Sequence, residues 1–168
     1  LIIEKYFHAI GGLEKAKQIG SFSSKSIGTL NNKPIILRKK MMLPNLFTTL
    51  MKLDGKVISK NTFDGKHGVL KQQGDEIEFT REELKRHKKN RSIFPEFDYL
   101  ETAKYVGIEK VNDKDCHVLK IENSKVYYAV DSGLKRKGVS IQEKDGRLFL
   151  QELYFSNYVK IEGLLFPT

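Results

Sequence analysis

The sequence predicts an α+β protein in which antiparallel strands dominate and helix is confined to two places. Three observations carry this. Turn-forming pairs recur roughly every ten residues, the runs between them are β-prone, and helix signals occur only at the amino terminus and near the middle. Connections this short exclude parallel βαβ units, each of which needs a helix of about a dozen residues between its strands. The 168 residues suit one domain, because a chain of roughly 150 residues buries about 68–70% of the surface its unfolded form exposes.

Residues 1–19 read as helix. Ile3, Tyr6, Phe7 and Ile10 recur at i, i+3, i+4 and i+7, and Gly11-Gly12 can take the left-handed conformation that ends a helix. Leu13, Ala16 and Ile19 add a short second turn or two. Residues 21–79 then form a meander punctuated by Asn31-Asn32, Pro44-Asn45, Asp54-Gly55, Asp64-Gly65 and Gly74-Asp75. Residues 102–168 form a second strand group, with turns at Asn112-Asp113, Asn123-Ser124, Ser132-Gly133, Asp145-Gly146 and Glu162-Gly163. Together they predict about ten strands in one curved sheet.

A helical insert over 80–101 separates the two groups. Thr80-Arg81-Glu82-Glu83 is a capping box, with Phe79 and Leu84 placed for a hydrophobic staple. The body that follows has a single leucine among Lys85, Arg86, His87, Lys88 and Lys89, so it cannot be a core helix. Beyond it, Phe94, Phe97 and Leu100 recur every three residues after Ser92, with Pro95 suited to a first helical position, so this piece can lie on an apolar surface.

Some strands are apolar on both faces, which reports a cover on each. Phe149, Leu153 and Phe155 oppose Leu148, Leu150 and Tyr154; Phe47, Met51 and Leu53 oppose Leu46 and Leu50; Val126, Tyr128 and Val130 oppose Tyr127 and Ala129. Helices plus ordinary packing give one account of the cover, and a cavity holding an apolar ligand gives the other. Periodicity does not choose between them.

Charge and chemistry narrow the function classes. The formal charge is +9, and Arg81, Lys85, Arg86, Lys88, Lys89 and Arg91 against Glu82 and Glu83 place +4 of it in one short segment. Without stacking aromatics beside it, this basic surface points to an anionic membrane surface or an acidic protein partner rather than to nucleic acid. No phosphate-binding loop, dinucleotide fingerprint, nucleophile elbow or zinc-protease motif is present. Cys116 and His117 are adjacent and alternate to opposite faces of a strand, so they do not form a catalytic pair with each other, and His8, His67 and His87 lack metal spacing. The expectation is a protein without catalysis, cofactor or metal. The chain opens on an amphipathic segment with no signal-peptide pattern, and no run approaches the 18 apolar residues of a membrane-spanning helix.

Several stretches, in order along the chain, resemble one family. They are Tyr6-Phe7-His8-Ala9-Ile10-Gly11-Gly12, Phe63-Asp64-Gly65-Lys66-His67-Gly68, Ile93-Phe94-Pro95-Glu96-Phe97, Gly107-Ile108-Glu109-Lys110-Val111-Asn112, Tyr127 to Lys135 with its Asp131-Ser132-Gly133-Leu134, and the ending from Tyr158 to Pro167. The set is similar to bacterial outer-membrane lipoprotein-sorting (LolA-like) domains, including versions associated with zinc-dependent peptidases. The resemblance implies an incomplete β-barrel over an amino-terminal helix and a central helical lid, in the periplasm or cell envelope, with a hydrophobic cavity for a lipid or the acyl chain of a lipoprotein. Large apolar residues able to face such a space are Phe47, Met51, Tyr128 and Phe149 on strands and Phe94, Phe97 and Leu100 on the short helix. The competing expectation is an accessory domain of an envelope peptidase or assembly, with a filled core.

Overall fold

The computed structural model describes residues 1–88, 93–144 and 147–168, with the backbone alone for 142–144 and 147. Lys89, Arg91 and the Asp145-Gly146 turn lie outside the described residues. In chain order the first elements are α1 (Ile2–Ile10), α2 (Leu13–Gln18), β1 (Ser21–Leu30), β2 (Lys33–Met42), β3 (Leu46–Leu53) and β4 (Lys56–Phe63). Next come β5 (Gly68–Gln72), β6 (Asp75–Glu78), α3 (Arg81–Lys88), α4 (Glu96–Thr102), β7 (Lys104–Val111) and β8 (Lys114–Ile121). The last are β9 (Ser124–Ala129), β10 (Lys135–Lys144), β11 (Arg147–Tyr154), β12 (Val159–Ile161) and β13 (Leu164–Phe166).

The protein is mostly antiparallel β with four helices among the described residues. Among the described residues thirteen strands form three open sheets, of six, five and two strands, where the sequence predicts about ten in one curved sheet. The excess lies in short strands: β6 has four residues and β12 and β13 have three each, lengths that a ten-residue turn spacing does not resolve. The chain divides into two compact units, one of Ile19–Pro95 and one of Leu1–Gln18 with Glu96–Thr168.

The unit of Ile19–Pro95 is the meander β1 to β6 with α3. Register places Phe22, Met41, Phe47 and Phe63 opposite one another on successive strands, so their side chains share one face. Phe63 pairs with Gly68, and the Phe79 ring lies so close over that glycine that an added Cβ would sit 1.8 Å from it. The predicted capping box starts α3: the Thr80 amide donates to the Glu83 carboxylate at 2.8 Å, and the Glu83 amide donates to Thr80 Oγ1 at 3.3 Å. The Thr80 amide, and then the Thr80 hydroxyl that also donates to the carboxylate, hold the Glu83 carboxyl below its ordinary range. No residue of α3 is fully buried, as its composition predicts, yet His87 meets Phe47 and Phe79 at 5.0 Å and Phe63 at 5.7 Å between ring centres.

The other unit builds its core from α1, α4 and the five-stranded sheet. The predicted α1 face is buried at Ile3, Tyr6, Phe7 and Ile10. Gly11 ends α1 at φ 121, donating to the His8 carbonyl at 3.2 Å, and a side chain there would meet the Gly163 carbonyl, so only glycine fits. Phe7 packs on Phe97 of α4 with ring centres 4.6 Å apart, and Tyr6 meets Tyr128 of β9 edge-on at 5.3 Å. Val126, Tyr127, Tyr128 and Ala129 are all buried, the two-sided cover that the apolar run in β9 predicts. Cys116, Val118 and Tyr127 cluster with Val111 and Ala129 on one side, where burial pushes the Cys116 thiol up. β11 behaves otherwise. It pairs only with β10, and Leu148 is 73% exposed and Leu150 65%, so the cover inferred from its two apolar faces is not supplied by the described residues.

Candidate functional site

A concavity of about 580 Å³ opens on the six-stranded sheet. Its position follows from alternation. The row Phe22, Met41, Phe47 and Phe63 points to the face that carries His87, so their backbone floors a valley on the opposite face. One wall is the row Ser21, Met42 and Leu46; the other is Ser23, Lys40, Thr48 and Thr62. Thr48 and Thr62 hydroxyls lie 3.2 Å apart, which fixes them on one face. Rows two residues apart along a strand are separated by about 7 Å, wide enough for a polymethylene chain lying across the strands. At one end the Asp64 carboxylate accepts the Lys66 and His67 amides at 2.8 and 2.7 Å, and those bonds hold its carboxyl down at about 2.

Chemically, this valley combines Met42 and Leu46 beside Ser21 on one wall with three hydroxyls and one ammonium on the other. It provides contact and orientation. Among the described residues no cluster of three or more His, Cys, Asp and Glu side chains is placed to hold a metal, and no helix is long and apolar enough to cross a membrane.

The predicted cavity residues are divided between the two units. Phe47 is buried and belongs to the lining of the 580 Å³ concavity, whereas Met51, half-buried, lies on the face of Phe47 further along β3. Phe94 is buried just before α4. In the other unit Phe97 is stacked on Phe7, Leu100 is 52% exposed, and Phe149 is 51% exposed on β11. Tyr128 is fully buried. Of the predicted basic surface, Arg81, Lys85, Arg86 and Lys88 are all exposed on α3; Lys89 and Arg91 are outside the described residues.

The densest polar cluster lies around Tyr128. Its hydroxyl donates to Glu96 Oε1 at 3.2 Å, and the same carboxylate, fully buried at the start of α4, forms an ion pair with Lys135 of β10. Glu96 Oε2 is buried with no hydrogen-bond partner among the described residues. Burial first, and the Glu96 charge second, push the Tyr6, Tyr128 and Tyr158 hydroxyls well up, and Tyr99 to about 12. The Tyr158 hydroxyl donates to the Lys135 carbonyl at 2.8 Å. This cluster joins helix to sheet inside one unit.

No protein-family model matches the chain, and no curated protein matches it. Sequence reasoning missed Met42, Leu46 and Lys40 as walls and Glu96 with Lys135 as a pair. The signal for the walls was present in the alternation of β2 and β3, but which residues stand opposite depends on register across three hairpins. Nothing in local sequence ties Glu96 to Lys135.

Proposed function

We propose that the chain binds a lipid or a lipidated protein without catalysis, in the bacterial periplasm or cell envelope. The observation that supports this reading most is the concavity on the six-stranded sheet, whose 580 Å³ falls within the range of small-molecule sites and whose accessible lining is apolar over most of its area. Each buried methylene contributes about 0.8 kcal/mol, so an acyl chain is held there by area alone and requires no specific partner. On this reading the strands belong to the incomplete barrel that the resemblance to lipoprotein-sorting domains implies, while α3 lies against the face opposite the concavity and does not cover it.

Native mass spectrometry and lipid extraction after bacterial expression test the proposal. A co-purifying lipid, or saturable uptake of a fluorescent fatty acid, is the expected result; a ligand-free protein that takes up none of the probe rejects it. A second reading, an accessory domain of an envelope peptidase or assembly, draws on β11, an edge strand exposing Leu148, Leu150 and Leu153 to another chain. It predicts a complex with an envelope peptidase, seen as added mass when the two are mixed, that Leu150→Lys abolishes.

A further inference from the structure

The concavity adjoins a row of cations in which, among the described residues, only Lys71 has an ion-pair partner. One step along the strands from the wall of Ser23, Lys40, Thr48 and Thr62, register aligns Lys25, Arg38, Leu50, Lys60 and Lys71 across β1 to β5, all on the same face as the concavity. Lys25 stands directly opposite Arg38, and Lys60 directly opposite Lys71. Like charges placed opposite each other destabilise a sheet, so such a row is explained by an anion that completes it. Lys71 is ion-paired with Glu76. Lys25, Arg38, Lys40 and Lys60 are exposed and have no ion pair among the described residues. Between Arg38 and Lys60 the row holds only Leu50, half-buried. Their backbones are two strand spacings apart, about 10 Å, and both side chains are long enough to converge over the leucine on one phosphate.

We propose that this face takes an anionic phospholipid, with its acyl chain in the valley between Met42 and Lys40 and its phosphate held by Arg38 and Lys60. The inference rests on the lipid reading above and adds the headgroup to it. Arg38 supplies the planar fork that matches phosphate oxygens, and Lys60 and Lys25 supply point charges beside it. The apolar valley and the cation row are adjacent and parallel, which suits a molecule with an apolar tail and a charged head better than a nucleic acid, whose backbone would use the row and leave the valley empty.

The test compares four probes on the intact chain: lysophosphatidylglycerol, lysophosphatidylcholine of the same acyl length, glycerol phosphate, and a thymidine oligonucleotide. Lysophosphatidylglycerol is expected to bind about tenfold or more tighter than lysophosphatidylcholine, because Lys25, Arg38 and Lys60 repel the choline cation that accompanies the same phosphate, and glycerol phosphate to bind far more weakly. Arg38→Gln with Lys60→Gln should bring the two lysolipids to equal affinity with a melting temperature no lower than that of the unaltered chain, since the like-charge pairs are relieved. Equal binding of the two lysolipids by the unaltered chain overturns the headgroup assignment and leaves the lipid reading standing. Failure of both to bind overturns both. Glycerol phosphate matching lysophosphatidylglycerol, or the oligonucleotide outcompeting it with affinity that falls steeply with salt, also overturns the assignment.

Discussion

Glu96 and Lys135 form an ion pair in which the carboxylate is fully buried and the lysine side chain is 14% exposed. Tyr128 adds a hydroxyl bond to the same oxygen. Removing one member of a buried pair leaves the other charged in a poor solvent, at a cost of about 3–5 kcal/mol, whereas removing both costs far less. Lys135→Met is therefore expected to lose about 3–5 kcal/mol in urea denaturation, and Glu96→Gln added to it to restore most of that loss. Strictly additive losses would show that the two residues do not act as a pair.

The tyrosines around Glu96 predict how stability ends at high pH. Tyr6, Tyr99, Tyr128 and Tyr158 are all raised above the ordinary tyrosine range, first by burial and then by the Glu96 charge, with Tyr99 at about 12. A group whose folded value is raised contributes stability that is complete below its unfolded value, about 10, and that is lost as pH climbs through the folded value. Absorbance at 295 nm should show these tyrosines silent at pH 10 and ionising together with loss of circular dichroism towards pH 12. A complete, reversible titration of all seven tyrosines near pH 10 with the fold intact would refute it.

Gly68 is held small by Phe79. The ring lies where a Cβ would be, and it also faces Phe63 at 6.4 Å, so Gly68→Ala must displace the ring from the row it completes. Overpacking of this kind costs about 1–3 kcal/mol. Thermal melts should show that loss in the unaltered background and much less of it when Phe79 is also changed to Ala. A Gly68→Ala chain as stable as the parent would mean that the ring moves freely.

What was legible in the sequence is what neighbours in the chain determine. The α1 face, the Thr80 box and the hairpin turns are local: Asn31 and Asn32 both take positive φ, 49 and 61, as a two-residue hairpin requires. The apolar run in β9, the central strand of the five-stranded sheet, is buried on both faces as its pattern predicts. An equally apolar run in β11 is not, because at an edge the same pattern finds no cover among the described residues. Rows were illegible for a different reason. The walls around Met42 and Lys40 collect one residue from each strand, and a slip of one position in any hairpin would send that residue to the opposite face.

Met42 offers the sharpest test of the concavity itself. It is 55% exposed on the wall, so Met42→Glu should alter stability by no more than about 0.5 kcal/mol while placing a charge where an acyl chain would lie. Ile27, 70% exposed, is on the same face but outside the lining, so Ile27→Glu adds an equal charge without touching the bed. Displacing methylenes from an apolar wall and desolvating a carboxylate against the chain together exceed the 1.4 kcal/mol that corresponds to tenfold in affinity. Titration with a fluorescent fatty acid should therefore show at least about tenfold weaker binding for Met42→Glu and a much smaller change for Ile27→Glu. Equal losses in the two variants would trace the effect to net charge and remove the valley as the binding site.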